Sequence, residues 1–328
     1  MYSERIGGVE KMKTMGFPIS YKENEYRRAL IPKDLAKIEH TDMLILEKGY
    51  GKVLGYSDSD YEFYGAKFAT REQVLTCDIV CDPKIGDAEY LNQLKDQTIF
   101  GWTHLVQNKD ITDKVLQGRL TAYVWEDMFC GGRHSFYRNN EVAGEAAVMH
   151  AFQCYGEMPY NTDVALIGRG NVARGAMRIL TCLGACITVY DRRMEKLLRQ
   201  EIDQYNVIVN ALLWDTCRKD HIIYREDLKR MRKNSLIIDV SCDKGGAIET
   251  SIPTTLDNPV YTVDGVMHYV VDHTPTLFYK TASVGISAEV CKYADELIED
   301  QPGKVLMDAL AVENGIIRDK RIIHFQNR

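Results

Sequence analysis

Short apolar runs alternate with amphipathic stretches along most of the chain. Leu44–Glu47, Cys77–Cys81, Gln97–Gly101 and Leu120–Trp125 are short and largely apolar, and polar turn residues bound them, so they predict strands. Pro32–Ile38 predicts a helix with proline at its tolerated first turn. A second helix follows the capping pair Ser57-Asp58 and runs to about Tyr64, before Gly65. This alternation is the signature of an α/β fold. The pattern breaks over Arg133–Asn140, which is polar and without clear period. Glu141–Phe152, rich in Ala and Glu, predicts a helix, Pro159-Tyr160-Asn161-Thr162 a turn, and a second alternating unit begins there. Ala282–Asp300 is again helical, and two apolar runs around Asp319-Lys320 predict a closing hairpin over Ile316–Phe325. The expected architecture is two Rossmann-like α/β domains with a cleft between them. Residues 1–135 plus 280–328 form a substrate domain and 136–279 a dinucleotide-binding domain. The chain crosses twice, so the two bodies can hinge.

The strongest local motif opens the second unit. The apolar run Asp163–Ile167 leads into Gly168-Arg-Gly170-Asn171-Val172-Ala173-Arg174. A helix follows with Val172, Ala176, Ile179, Leu180 and Leu183 on one face, Gly184 ends it, and a second strand, Ile187–Tyr190, finishes at Asp191. This is Gly-x-Gly-x-x-Ala followed by a strand-end acid. Gly168 makes the tight turn, Gly170 lets backbone approach a pyrophosphate, and Ala173 lets the helix pack against the strand. Strand, turn, helix, strand and acid all agree, which makes the motif specific. Tyr205–Asn210 and Leu236–Val240 predict further strands, Glu226–Arg232 a short helix, and Thr262-Val263-Asp264 a fifth strand. Val240 and Asp243 stand at the end of the fourth, where open parallel sheets bind ligands. Asp243 reads as a catalytic or cofactor acid, against the alternative of a solvated turn acid.

Asp191 points to NAD through a ribose hydroxyl. Arg192 and Arg193 follow it, and Arg169 and Arg174 flank the glycine turn. Guanidinium groups there can pair with a 2′-phosphate, so the residues leave NADP and NAD both open.

Composition removes several classes. The chain has 328 residues, 45% hydrophobic and 27% charged, as in ordinary folded proteins. No apolar run is long enough to span a bilayer. The polar, unpatterned first residues, Met1–Lys11, carry no secretory signal pattern, and a cytoplasmic protein is expected. The net charge of −6 gives no electrostatic footprint for nucleic acid. Nine cysteines in mostly apolar segments read as reduced, buried thiols. Cys77/Cys81 and Cys182/Cys186 lack zinc-site spacing, and no metal is expected.

Long stretches resemble the alanine dehydrogenase/transhydrogenase-domain family. They are Gly16-Phe-Pro-Ile-Ser-Tyr-Lys-Glu-Asn-Glu-Tyr-Arg27-Arg-Ala-Leu-Ile-Pro32, Gly51-Lys-Val-Leu-Gly-Tyr-Ser-Asp58, Cys77-Asp-Ile-Val-Cys-Asp-Pro-Lys84 and Phe100-Gly-Trp-Thr-His104-Leu. Four further segments are similar to a branch of that family that joins pyruvate to an amino-acid side-chain amine. They are Cys81-Asp-Pro-Lys-Ile-Gly-Asp-Ala-Glu-Tyr-Leu91, Trp125-Glu-Asp-Met-Phe129, Gly132-Arg-His-Ser-Phe136 and His268-Tyr-Val-Val-Asp-His-Thr-Pro275. The resemblance implies an oxidoreductase that condenses pyruvate with ornithine, or more weakly lysine, and reduces the imine with NADPH. It implies a homo-oligomer, most simply a tetramer. It assigns Arg27 and Lys84 to the keto acid, His104 to acid/base work and Asp243 to the amine. The family's Asn-Met pair at the nicotinamide is replaced by His273-Thr274.

The residue chemistry suits these roles. Histidine titrates near neutral pH, as a proton donor to a departing hydroxyl must. A guanidinium matches a planar carboxylate, although spacing alone does not choose between Arg27 and Arg28. Lys84 by itself reads as a solvated loop lysine, and His104, after the run Thr98–Trp102, as either a core histidine or an acid/base. Asp82, Asp87, Glu89, Glu126 and Asp127 are candidate partners of a cationic substrate, while Glu141 and Glu145 read as helix-surface charges. Trp102, Trp125 and Trp214 read as core. The rival readings are an L-alanine dehydrogenase that uses ammonia and a non-catalytic nucleotide-binding protein on the same fold.

Overall fold

The computed structural model describes residues 12–215 and 218–328. Residues 1–11, Thr216 and Cys217 lie outside the described residues. The chain divides into two compact units, one running to Phe136 and resuming at Ser283–Arg328, the other Tyr137–Ala282.

The first unit contains β1 (Met15–Phe17), β2 (Leu44–Glu47), β3 (Lys67–Ala69), β4 (Ile79–Cys81), β5 (Thr98–Gly101) and β6 (Thr121–Val124), with a small separate hairpin of β7 (Phe129–Cys130) and β8 (Arg133–His134). The second contains β9 (Asp163–Ile167), β10 (Cys186–Tyr190), β11 (Val207–Asn210), β12 (Leu236–Asp239), β13 (Val260–Val263) and β14 (Val266–Tyr269). Back in the first unit lie β15 (Leu310–Glu313) and β16 (Ile316–Ile317). The first sheet has the order β16-β15-β6-β5-β4-β1-β2-β3, and β3 through β6 are parallel. The second has the order β10-β9-β11-β12-β14-β13, parallel apart from the edge hairpin. The chain reverses direction across each sheet, between β1 and β4 in one and between β9 and β11 in the other. Open α/β sheets bind ligands at such switch points, beyond the carboxyl ends of the strands.

Both sheets are covered on both faces, which is why their strands read as continuous apolar runs. In β9, Val164 and Leu166 join one core cluster, while Ala165 and Ile167 join the other. In β5, Phe100 and Ile99 divide the same way.

Several expectations are corrected. Pro32–Ile38 is a single turn, Pro32–Leu35. The polar break over Arg133–Asn140 contains β8 and the first turn of a helix that runs Tyr137–Tyr155. Glu226–Arg232 is a 3-10 segment, Arg225–Arg230. The closing hairpin is β15–β16, with Val312 opposite Ile317, and Lys320–Gln326 is a helix capped by the Asp319 side chain. Its turn is Asn314-Gly315, both with positive φ, a strong short-range hairpin signal. Asp264-Gly265 makes the corresponding turn between β13 and β14, and it is β14 that pairs with β12. Cys77, Cys81 and Cys291 are buried thiols, but Cys130, Cys182 and Cys186 are exposed, the last on the edge strand β10.

Glu141 and Glu145 are more than surface charges. Arg138 bridges them along their own helix, and Arg178 reaches both from the helix Asn171–Cys182. Glycines let the two helices approach closely: a Cβ on Gly175 would stand 1.9 Å from the Glu141 carbonyl oxygen, and one on Gly144 would stand 2.0 Å from that of Val172. No helix among the described residues is long and apolar enough to cross a membrane. Gly175→Ala and Gly144→Ala are each expected to cost roughly 1–3 kcal/mol or more by forcing the backbones apart. Gly170→Ala, whose Cβ would meet nothing within 4 Å, should stay near the parent protein. Urea denaturation of the three variants checks this.

Candidate active site

Three loops leave the carboxyl ends of β1, β4 and β5 in the first unit, and each delivers one of the expected residues. Arg27 is buried, and its Nε and Nη2 donate to the two carboxylate oxygens of Glu25 at 2.8 and 2.5 Å. Its guanidinium lies 5.3 Å over the Trp102 ring. Arg28 is spent elsewhere, donating to the carbonyls of Tyr50 and Arg27. The structure thus separates two arginines that spacing could not.

Lys84 is a buried lysine, not a solvated one. Its Nζ is 3.2 Å from Asp87, which also holds Lys22 at 3.1 Å. Asp82 lies beneath, fully buried, accepting from the Tyr90 hydroxyl at 2.6 Å and the Lys84 N–H at 2.9 Å. The loop rests directly on β5, where a Cβ on Gly101 would meet the Asp82 carbonyl oxygen at 2.0 Å. Burial works to raise the Glu25 carboxyl, but Arg27 outweighs it and the net shift is downward. Burial likewise opposes ionisation of Asp87, and Lys84, Lys22 and His104 together overcome it. Arg27, Lys84 and His104 therefore belong to one electrostatic cluster.

His104 has the left-handed backbone of φ 53°, and its side chain is 45% exposed. Glu126, just past β6, accepts from the Thr103 and His104 N–H groups at 2.7 and 2.6 Å. The same oxygen lies 3.5 Å from His104 Nδ1. Burial pushes Glu126 up to about 7 against these hydrogen bonds. Asp127 is taken by Arg321. Of the expected acids, Asp82, Asp87, Glu126 and Asp127 thus already serve partners within the chain, and Glu89 is exposed. Burial pushes His134 toward its neutral form, and its ring bonds the Glu126 carbonyl. The indole of Trp125 stacks on Phe136 and, with Trp102, belongs to the core beneath the site.

In the second unit Gly168 takes φ 114°, and a Cβ there would strike the Ala211 carbonyl. Gly170 is the N-cap of the helix Asn171–Cys182, with no side-chain cap and open space beside it. Unpaired helix N–H groups facing an open cradle suit a phosphate. Asn171 and Val172 begin that helix, with Asn171 accepting from Arg174. Gly168, Arg169, Gly170, Asp191, Arg192, Arg193 and Ala211–Leu213 line a pocket of about 410 Å³. The Asp191 carboxylate accepts from the Arg193 N–H at 2.9 Å and pairs with the guanidinium groups of Arg193 and Arg169 at 3.2 and 3.5 Å. Arg192 donates to the Leu213 carbonyl. Val240 donates to the Asn210 carbonyl, tying the end of β12 to β11. The residues present fit a dinucleotide.

Asp243 lies in this second unit, just past β12. Burial lifts its carboxyl to about 7, and the charge of Asp239 adds to the effect. Asp239 is itself buried, accepting from Asn210 and Ser251. His273 is buried and paired with Asp272, and Thr274 bonds the Ala143 carbonyl. Among the described residues no group of three His, Cys, Asp or Glu is placed to hold a metal. Glu25 and Lys22 were missed as members of the site. The Glu-x-Arg spacing in a loop after an apolar strand was the available signal for Glu25.

Residues 16–132 match the family model for the alanine dehydrogenase/PNT N-terminal domain, and residues 193–324 that for the C-terminal domain. The chain is 32% identical over 305 residues to an N(5)-(carboxyethyl)ornithine synthase of Clostridium botulinum, covering 86% of this chain and 95% of that protein. It is 29% identical to one of Lactococcus lactis, covering 80% and 90%. It is 26% identical to alanine dehydrogenase 1 of Staphylococcus aureus, covering 90% of each. A solved L-alanine dehydrogenase superposes with a TM-score of 0.80 at 20% identity, covering 96% of this chain and 99% of that one.

The raised Asp243 gives a stability test. Its carboxyl titrates at about 7 when folded against an ordinary 3.8, so the folded state holds this proton more tightly than the unfolded chain. Its contribution to stability is fully present below pH 4, falls as the pH rises toward 7, and is flat above. Asp243→Asn removes the cost of ionisation. Relative to the parent, it should gain stability from about pH 4 to pH 7, with no further gain above. Thermal unfolding across that range checks this. A pH-independent difference would mean that Asp243 is ionised throughout.

Proposed function

The chain belongs to the alanine dehydrogenase/PNT family, whose fold implies a pyridine nucleotide cofactor, and from that premise we propose that it is an NADPH-dependent enzyme joining pyruvate to the side-chain amine of ornithine, giving N5-(1-carboxyethyl)ornithine. The observation that carries the reading is the convergence of buried Arg27 and Lys84 with half-exposed His104 beyond adjoining strand ends. The relatives named N(5)-(carboxyethyl)ornithine synthase support the choice of amine.

Arg27 binds the pyruvate carboxylate through a guanidinium edge that Glu25 holds in orientation. The Lys84 ammonium hydrogen-bonds the keto oxygen and withdraws electron density from its carbon. The neutral δ-amine attacks that carbon and forms a carbinolamine. His104 donates a proton from its Nε2, the nitrogen away from Glu126, to the hydroxyl, which leaves as water. Loss of water leaves a protonated imine, the group that a reduced nicotinamide, when bound, would reduce by hydride. Asp243, in the other unit, has a carboxyl that burial raises to about 7, which suits it to proton exchange near neutral pH. Binding across Arg27 and Lys84 favours keto acids over neutral carbonyl compounds, which offer the guanidinium no charge-assisted contact.

The pocket favours NADPH. Asp191 would repel a 2′-phosphate, but Arg193 and Arg169 compensate its charge, and Arg192 lines the same pocket. The protein is taken to work in the cytoplasm as a homo-oligomer.

Three measurements test this reading. Pyruvate with ornithine should oxidise the nicotinamide at least about a hundredfold faster than pyruvate with ammonia, since a site built for a larger polar substrate leaves its partners unpaired around ammonia. Comparable rates would make the protein an alanine dehydrogenase, and no turnover with either amine would leave a nucleotide-binding protein. Arg27→Lys, which keeps a cation beside buried Glu25, Lys84→Met and His104→Ala should fold and each lose about tenfold to a hundredfold or more in kcat/KM, the worth of one charge-assisted contact. Arg193→Ala should raise the KM for NADPH about tenfold and leave that for NADH nearly unchanged. Tighter binding of NADH by the parent protein overturns the choice of NADPH.

A further inference from the structure

Glu126 does an unusual amount of work for one carboxylate. One oxygen accepts two successive backbone N–H groups, Thr103 and His104, at 2.7 and 2.6 Å, and stands 3.5 Å from the imidazole Nδ1. The His104 backbone sits at φ 53°, a region that non-glycine residues occupy uncommonly. The other oxygen, Oε2, is buried with no hydrogen-bond partner among the described residues. A carboxylate with one oxygen shared three ways and the other held out of water is poorly satisfied as a purely structural acceptor. We infer that Glu126 is the positioning residue of His104, holding the strained strand-end backbone through two N–H bonds and orienting the imidazole so that its Nε2 carries the exchangeable proton. This rests on the proposed role of His104 as proton donor and adds a second carboxyl to it.

The two groups form a dyad. When His104 is protonated, its Nδ1–H faces an anionic acceptor. Other charges bear on it. Asp87, from the loop after β4, interacts electrostatically with His104, and Lys84 lies against Asp87. Asp127 follows Glu126 on its own segment and opposes its ionisation. His134, from β8, bonds the Glu126 carbonyl and is pushed toward its neutral form. Glu126 both bonds the backbone of His104 and lies 3.5 Å from its ring.

Glu126→Gln separates charge from geometry. Its amide oxygen still accepts both N–H bonds, so the fold and the left-handed turn are kept while the negative charge is lost. The ring of His104 is read by NMR in histidine-labelled, full-length protein, with its signal assigned by its absence in His104→Gln. In Glu126→Gln its titration midpoint should fall by about half a unit to one unit, because an exposed cation loses a nearby anion. The acidic limb of the kcat/KM profile should move with it, with kcat down about tenfold and the KM for pyruvate within about twofold. An unchanged His104 midpoint overturns the inference. The ring titration needs no substrate, so an inactive parent protein would refute the proposed reaction and still leave the dyad to be judged. If Glu126→Gln does not fold, His104→Gln supplies the reciprocal test. The Glu126 carboxyl, read by carbon NMR, should titrate higher once the neighbouring cation is gone, and an unmoved carboxyl overturns the inference equally.

Discussion

Everything chemical in this molecule depends on one constraint of parallel sheets. A strand order that runs outward from the middle in both directions leaves two loops diverging from the carboxyl edge, and backbone cannot fill the space between them. In the first unit the order β3-β2-β1-β4-β5-β6 opens that space between β1 and β4. The loop after β1 carries Glu25 and Arg27, and the loop after β4 carries Lys84 and Asp87. In the second unit the reversal falls between β9 and β11, and the loops after them supply Gly168–Gly170 and Ala211–Leu213 to one pocket. The same packing rule thus leaves loop-lined space at the carboxyl edge of both sheets, where such folds bind their ligands.

Where the chemistry depended on local pattern, the sequence was readable. The glycine turn, its helix and the strand ending at Asp191 lie within one continuous stretch, and each feature has its own local signature. The central strands could be read because burial on both faces makes them apolar throughout. What escaped was pairing set by tertiary context. β1 and β3 are only three residues each and lack a visible period. The Asn314-Gly315 and Asp264-Gly265 turns were visible hairpin signals, but weight given to apolar runs hid them. The site was legible as residue types and not as roles. Nothing in the spacing of Arg27 and Arg28 says that one packs on Trp102 and the other on Tyr50. A loop lysine gives no sign of burial until β5 is seen to pass beneath it.

The acids show most clearly how sequence and structure differ. From composition they offered a set of partners for a cationic substrate. In the structure most of them serve the protein's own cations and backbone: Glu25 holds Arg27, Asp87 holds two lysines, Glu126 holds a backbone turn, and Asp191 is clasped by arginines. Buried cations need counter-charges to exist at all in the empty site, since an isolated buried ion is prohibitively costly.

That arrangement also limits what the first unit can bind. Arg27, Lys84 and Lys22 are offset by Glu25 and Asp87, leaving a local balance of one positive charge before His104 and Glu126 are considered. Asp82, fully buried beneath this group, has its carboxyl raised by burial against the hydrogen bonds from Tyr90 and the Lys84 N–H. A single residual cation matches a monoanion such as a keto acid, whereas a phosphate dianion would meet the Glu25 and Asp87 carboxylates without a second compensating charge. Because the cations are already oriented by their carboxylates, a ligand gains less Coulomb energy than bare charges would give. It also spends less on ordering them, which is the advantage of preorganisation. Discrimination between anions therefore comes from the fixed carboxylates as much as from the cations, and it is built in before any ligand arrives.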